Sequence, residues 1–380
     1  MSELRVEILD GLASVVPGEW DALVGNGSPF LEWGWLASLE EAGCVGAETG
    51  WLPQHLALFD GDRLVGACPL YVKGHSQGEF VFDHGWADAA ERAGLRYYPK
   101  LLVASPFTPA AGVRFLAAPG ADRGGVVRAL AGALQRVCRE GPFSSVHVNF
   151  CLPDEVEALR GLGFEHRSGY QFQWVSRGWR TFDDYLDAFR SKRRNQIKRE
   201  RRELAAQGVE IATYLGAAIP DELFAPMFEL YATTVDKFHW GHRYLNAALF
   251  ELLRRRWKER LCFVVARRDG AIVAGTVNVR KGDVLYGRYW GAFEDLRHLH
   301  FNVCYYAAVD LCLREGITRF EPGAGGAFKY LRGFDARRTD SMHFIDDPRL
   351  ADAVRRYLAE ERRANADEIA WLDERSPLKR

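Results

Sequence analysis

The sequence predicts an α/β protein made of two units in tandem, each with helices flanking a mixed, partly antiparallel sheet. Three observations carry this. The 380 residues exceed the length at which a single hydrophobic core usually stops growing. A strand–helix–strand–helix–strand order runs through the first half and is echoed in the second. Three consecutive strands joined by Asp-Gly and Lys-Gly-Asp turns form an antiparallel meander, which excludes a purely parallel, doubly wound sheet. No GxGxxG follows a strand, so a dinucleotide fold is also excluded.

Element by element, strands are expected at Arg5 to Leu9, His55 to Asp60 and Leu64 to Val72, the last two folded around Asp60-Gly61-Asp62. A helix near Trp86 to Ala93 precedes a strand at Leu101 to Ala104. Helix Gly124 to Glu140, strand Ser145 to Phe150, helix Asp154 to Gly161 and strand Glu165 to Ser176 complete the first unit. The boundary is placed at residue 177, giving units 1–177 and 178–380. Thr181, ahead of Asp183 and Asp184, suits a helix N-cap. One long helix is expected from Phe182 to Gln207, then strand Val209 to Tyr214 and helices Asp221 to Lys237 and Leu245 to Lys258. The meander follows at Leu261 to Arg268, Ala271 to Arg280 and Val284 to Trp290. Helix Phe301 to Glu315, a strand near Arg319 and a C-terminal helix Asp347 to Leu372 close the chain.

The net charge of -1 gives no global case for a polyanionic partner, but the charge is unevenly spread. Between Arg190 and Arg202 eight basic residues stand against one acid, Glu200, a local +7 that leaves -8 for the rest. Phe182, Leu186, Phe189, Ile197 and Leu204 recur at helical spacing there and define a buried stripe. Arg193 and Glu200 fall on that stripe, so Arg193 must be paired, with Glu200 as the candidate, or face a cleft. The outward cations, Arg194, Lys198 and Arg201 among them, are either a solvated face or a surface for phosphates. A second cluster, Arg254 to Arg256 with Lys258 and Arg260, ends a helix and complements its dipole.

Seven cysteines, odd in number and without CxxC spacing, predict buried thiols in a reducing compartment. No long apolar run is present at the start or elsewhere, so neither a leader nor a membrane span is expected and the protein is expected to be cytoplasmic. The scattered histidines have no metal-ligand spacing, and no GxSxG or Cys/His signature supports a covalent nucleophile; no metal is assigned.

The most informative stretch is Arg288 to Phe334. Strict alternation along its strand would put Tyr286, Arg288 and Trp290 on one face and Gly287, Tyr289 and Gly291 on the other, the glycines leaving room for a backbone or a ligand. Asn302 lies in the first turn of the next helix, as a cap or as a ligand contact, and shares a face with Tyr306. The turn Glu321-Pro322-Gly323-Ala324-Gly325-Gly326 permits close approach of a substrate, and Lys329 offers a compact charge for an oxyanion.

These residues resemble the Fem-like (FemAB-like, peptidoglycan biosynthesis/recognition) proteins. The similarity runs through FVFDHGWADAAERAGLRYYPKLLVASPFTPAAGVRFL in the first half. In the second it runs through TFDDYLDAFRSKRRNQIKRERR, YATTVDKFHWGHRYL, LYGRYWGAFEDLRHLHFNVCYY and FEPGAGGAFKYLRGF. The resemblance implies two tandem GNAT-like (acyl-CoA N-acyltransferase) domains and transfer of an amino acid from aminoacyl-tRNA to an amine, hydroxylamine or peptide acceptor. Phe328-Lys329 matches the Phe-Lys pair of the tRNA-dependent members. The family pattern has Trp near His84, Glu where Asn302 stands, and Gln, Glu and His within Gly325 to Phe328. Without that Glu and His, electrostatic positioning is expected rather than proton transfer by those groups.

The expected catalytic groups are therefore Lys329, Arg332 and Asn302. Tyr289, Trp290, Arg288, Phe328, Tyr306, Lys237, Trp240 and Glu321 are expected substrate contacts, and Arg193, Arg194, Lys198 and Arg201 expected tRNA contacts. The Arg/Gln-x-x-Gly-x-Gly/Ala loop with which acetyl-CoA-dependent GNAT enzymes hold pyrophosphate is missing from Ala292 to His300; only Gly120-Ala121-Asp122-Arg123-Gly124-Gly125 is a weak substitute. CoA is not indicated, and aminoacyl-tRNA is the expected co-substrate. An acyl-CoA-dependent transferase and a non-catalytic peptide or cell-wall precursor binder remain the alternatives.

Overall fold

In a computed structural model, which describes residues 4–236 and 243–379, the chain forms two compact units. One comprises Met1–Gly169 with Arg338–Asp367, the other Tyr170–Arg337 with Glu368–Arg380. Where the sequence divides most simply at 177, the chain instead re-enters its first unit near the end. It does so through strand Asp335–Ile345, which pairs from Asp340 onward with Ser145–Cys151, and through most of helix Pro348–Glu374.

The first unit holds two sheets. The smaller orders Leu4–Leu9, His55–Asp60, Arg63–Cys68 and Leu116–Ala117, all antiparallel. The expected strand Leu64 to Val72 is interrupted at Pro69, which cannot donate to a ladder, and its second half, Leu70–Lys73, joins the other sheet. There Leu70–Lys73 lies antiparallel to Lys100–Val103, and Lys100–Val103 runs parallel to Ser145–Cys151, with helix Arg123–Glu140 as the crossover. Leu130 and Leu134 of that helix pack on Leu56, Leu101, Val103, Val146 and Val148.

Buried Glu155 ties the unit together: its carboxylate accepts the backbone N–H of Arg114 at 2.8 Å, of Phe115 at 2.9 Å and of Leu152 at 3.2 Å, and pairs with Arg123 at 3.0 Å. Burial raises the carboxyl and those donors pull it back. Glu155→Gln keeps the volume but loses the charge-assisted bonds, so urea unfolding is expected to show a loss of about 2 kcal/mol.

Two lysines, Lys73 and Lys100, stand directly opposite each other across strands and are fully buried. The segment between strand Leu70–Lys73 and helix His84–Arg92 supplies their counter-charges. Lys100 Nζ donates to Glu79 at 2.9 Å, to Ser76 at 2.8 Å and to Asp83, while Glu79 lies 3.9 Å from Lys73. Burial pushes Lys73 down to about 7 and Glu79 up to about 7, whereas the two carboxylates hold Lys100 above its ordinary value against burial.

The second unit orders Val209–Leu215, Leu261–Arg268, Ala271–Lys281 and Val284–Ala292 as an antiparallel meander. Val284–Ala292 then pairs in parallel with Arg319–Glu321, which pairs antiparallel with Glu165–Val175. Strand, crossover helix and parallel strand recur as in the first unit. Its core includes Trp174, Tyr185, Phe189, Leu285, Tyr305, Val309, Phe320 and Phe334.

The single helix expected from Phe182 to Gln207 is two, Phe182–Asp187 and Ser191–Ala205. The first is capped as expected, Thr181 Oγ1 accepting the Asp184 N–H. The break at Phe189 buries that ring and lets its backbone bridge to Leu378, a tertiary contact that outweighs helical continuity. Strand Asp335–Ile345 escapes the pattern of strand prediction because DARRTDSMHFI is half polar; its Thr339, Asp340, Ser341 and His343 are nonetheless buried.

Candidate active site

Strand Val284–Ala292 holds the key irregularity. Tyr289 pairs with Val277 and Gly287 with Asn278, so Arg288 is an extra residue with no cross-strand partner, a β-bulge. The alternation expected from the sequence therefore fails. Gly287 and Trp290 face the helical side, Gly287 toward Phe320 and Trp290 toward His300; Tyr289 and Gly291 face helix Phe224–Val235, through Tyr231 and the Leu230 backbone. A side chain at 291 would collide with the Leu230 carbonyl, 1.7 Å from where its Cβ would lie, so this glycine admits a backbone and not a ligand. Gly287 faces Pro322, where the parallel pairing ends and the glycine-rich turn begins.

The turn brings the second set of groups in. Lys329 is 3% exposed, and its Nζ donates to the carbonyls of Gly323 at 2.6 Å and Ala324 at 3.0 Å. Burial pushes its ammonium down to about 8. The lysine therefore organises the turn with its charge while remaining chemically poised, rather than projecting freely from a surface.

Arg332 is buried as well. It donates to Glu200 at 3.0 Å and to the Phe328 carbonyl at 2.9 Å, and its guanidinium lies 3.4 Å from the Phe301 ring centre. Glu200 also accepts the Tyr306 hydroxyl and, at 2.9 Å, the Gln196 amide. Burial would raise the Glu200 carboxyl, but Tyr306, Arg332 and Gln196 hold it below the ordinary value. The expected partner of Glu200, Arg193, is half-exposed and bonds Gln196 at 2.9 Å, one step removed. Buried Arg332 takes the carboxylate instead.

Asn302 is neither a cap nor free. It sits in a π-helical segment, Asn302–Tyr306, and its amide donates to the carbonyls of His298 at 2.9 Å and Glu200 at 3.2 Å, holding the basic helix to this one. With Tyr306 it floors a cleft of about 610 Å³ whose walls include Lys198, Arg201, Arg202 and Arg314 against Asp183 and Asp310, four cations to two acids. Arg201 also covers the Phe182 ring at 4.0 Å, and Arg194 pairs with Asp187 at 3.0 Å outside the cleft lining. Lys198 and Arg202 have no acidic partner among the described residues.

The structure thus gathers Asn302, Tyr306, Lys198 and Arg201 at one cleft and Trp290, Phe328 and Lys329 at the turn, with Arg332 and Glu200 as the joint between them. Glu321 is buried at the end of its strand, 3.4 Å from Arg319, and Arg288 lies 5.3 Å over the Tyr289 ring. Lys237 and Trp240 lie outside the described residues.

One of the scattered histidines, His300, lies at this site. His300 packs its ring against Trp290 (5.1 Å), Phe301, Tyr305 and Phe328 (each 5.5 Å between ring centres). Burial pushes its imidazole down to about 4, with Arg332 and Lys329 adding to the effect. The sequence shows a histidine in the first turn of a helix with aromatics at i+1, i+5 and i+6, but not that rings from the strand and the turn close on it.

Two α/β units, each with a strand, a crossover helix and a parallel strand beside a meander, define the tandem GNAT fold. The family model described as FemAB-like, peptidoglycan biosynthesis/recognition, matches residues 11–380, and the chain belongs to that family. FemX is similar in structure, with a TM-score of 0.56 at 13% identity over 93% of this chain and 100% of that one. L-PGS from Bacillus licheniformis gives 0.55 at 9% identity over 91% and 97%. A conserved protein of unknown function from Bacteroides thetaiotaomicron gives 0.53 at 12% over 90% and 100%. No curated protein matches the sequence. The family supports assignment of the chain as a transferase. No helix among the described residues is long and apolar enough to cross a membrane.

Proposed function

We propose that the protein transfers an amino acid from aminoacyl-tRNA to an amine, hydroxylamine or peptide acceptor. The observation that carries this is the basic cleft, which is coupled through the Glu200–Arg332 pair to the turn that holds Lys329. Cations on helix Ser191–Ala205 receive the phosphates of the tRNA end. Trp290 and Phe328 contact the aminoacyl adenosine, and Asn302 and Tyr306 floor the cleft beneath it. An aminoacyl ester is already activated, so the protein needs to position a neutral amine beside it and stabilise the oxyanion, which falls to Lys329. CoA is the weaker donor. Loop Ala292 to His300 offers no glycine, and at the other helix start the Asp122 carboxylate lies against Gly125, a charge unfavourable to pyrophosphate.

Incubated with charged tRNA and candidate amines, the protein is expected to release the amino acid into a new amide in a ribonuclease-sensitive way. Transfer without RNA, or a CoA-dependent rise in melting temperature, overturns the donor assignment. Lys198→Glu together with Arg202→Glu is expected to weaken tRNA binding at least tenfold and to flatten its salt dependence by about two contacts, measured by filter binding across a salt series.

A further inference from the structure

Around His300 four aromatic rings, those of Trp290, Phe301, Tyr305 and Phe328, hold an imidazole in place by packing alone. Neither ring nitrogen has a hydrogen-bond partner among the described residues. A half-buried imidazole in native structure ordinarily donates from one nitrogen and accepts at the other, because leaving both unmet costs the desolvation of each. Phe328 is 38% exposed, so the bowl is open on that side.

Burial foremost, and the charged groups around it second, fix its state. From the turn, Lys329 and Arg332 present two cations; from its own helix come Tyr305 and Cys304, and from the strand Trp290, none of them anionic. The ring is therefore neutral at physiological pH, with one nitrogen always able to accept. The transfer reaction has one proton to move: the attacking amine must lose it, and the departing ribose oxygen must gain it.

We propose that His300 is the proton relay of the transfer, accepting the N–H of the attacking amine and delivering that proton to the ribose oxygen. The inference rests on the aminoacyl-ester reading above. In the step, the amine nitrogen bonds to the ester carbonyl carbon, the carbon–oxygen bond to ribose breaks, and the proton passes from nitrogen through the imidazole to the ribose hydroxyl, with nothing else consumed. Negative charge developing on the carbonyl oxygen raises the imidazole while the proton is in transit, and Lys329 stabilises that same oxygen.

The test is chemical rescue, with charged tRNA and with a synthetic activated aminoacyl ester as parallel donors. His300→Ala is expected to lower kcat roughly 100- to 10,000-fold with KM changed little, and free imidazole, filling the vacated bowl, to restore at least tenfold. His300→Phe preserves the packing and is expected to be equally slow but insensitive to imidazole, with an unchanged melting temperature. A folded His300→Phe enzyme at wild-type speed, or an His300→Ala enzyme that imidazole does not help, overturns the relay. If wild type uses the synthetic ester and not charged tRNA, the donor reading falls and the relay is decided on the ester; if wild type uses neither, both fall.

Discussion

Arg332→Met is expected to lower the unfolding free energy by about 3–5 kcal/mol, read from the urea midpoint at constant slope. The guanidinium is buried against Glu200 and the Phe301 ring, and removing it leaves an ionised carboxylate beneath the cleft with only the Tyr306 hydroxyl and Gln196 as donors. Glu200→Gln should cost less, since the amide still accepts from Tyr306. The double variant Arg332→Met with Glu200→Met should recover much of the single-site loss, because a buried ion pair replaced by apolar groups of similar volume is often close to neutral. A single Arg332→Met within 1 kcal/mol of wild type would show that the pair does not anchor the site. Even the stable double variant is expected to bind tRNA poorly, because Gln196 and Arg193 would lose the carboxylate that orders them.

The second large effect falls on kcat. Lys329→Met is expected to slow transfer by roughly 10²–10³, the scale of losing one oxyanion donor. Lys329→Arg should not rescue it, since a planar fork cannot occupy the tight site that donates to Gly323 and Ala324. The pH profile carries a sign. The ammonium form exists below about 8, so the stabilising charge and the activity depending on it decline as pH rises through that value. A neutral acceptor amine becomes more abundant in the same direction. The two trends cross, and kcat is expected to peak near or just below 8 with an alkaline limb that Lys329→Met lacks.

Much of this was legible in the sequence. The meander, the crossover helices and the Thr181 cap followed from turn residues and periodicity, and the basic helix and the Lys329 turn from local charge and glycine content. What failed did so where tertiary context overrode local pattern. Pro69 split a strand between two sheets, the Phe189 ring broke a helix, and the Arg288 bulge put Gly287 on the face opposite Tyr289 and Gly291, none of which alternation alone encodes. The Glu200–Arg332 pair joins residues 132 apart in sequence, and no spacing rule reaches that far. His300 was hidden for the opposite reason: its chemistry comes from four rings around it, and the sequence shows the rings without showing that they converge.

The facing lysines of the first unit also constrain the order of events as the chain folds. Lys73 and Lys100 are cross-strand neighbours, so the two strands that carry them repel each other until Glu79 and Asp83 arrive. Those carboxylates lie in the segment immediately after the first of the two strands, close in sequence to both lysines, whereas residues 338–367 of the same unit are distant. The segment thus acts as a built-in counter-ion for the lysine pair.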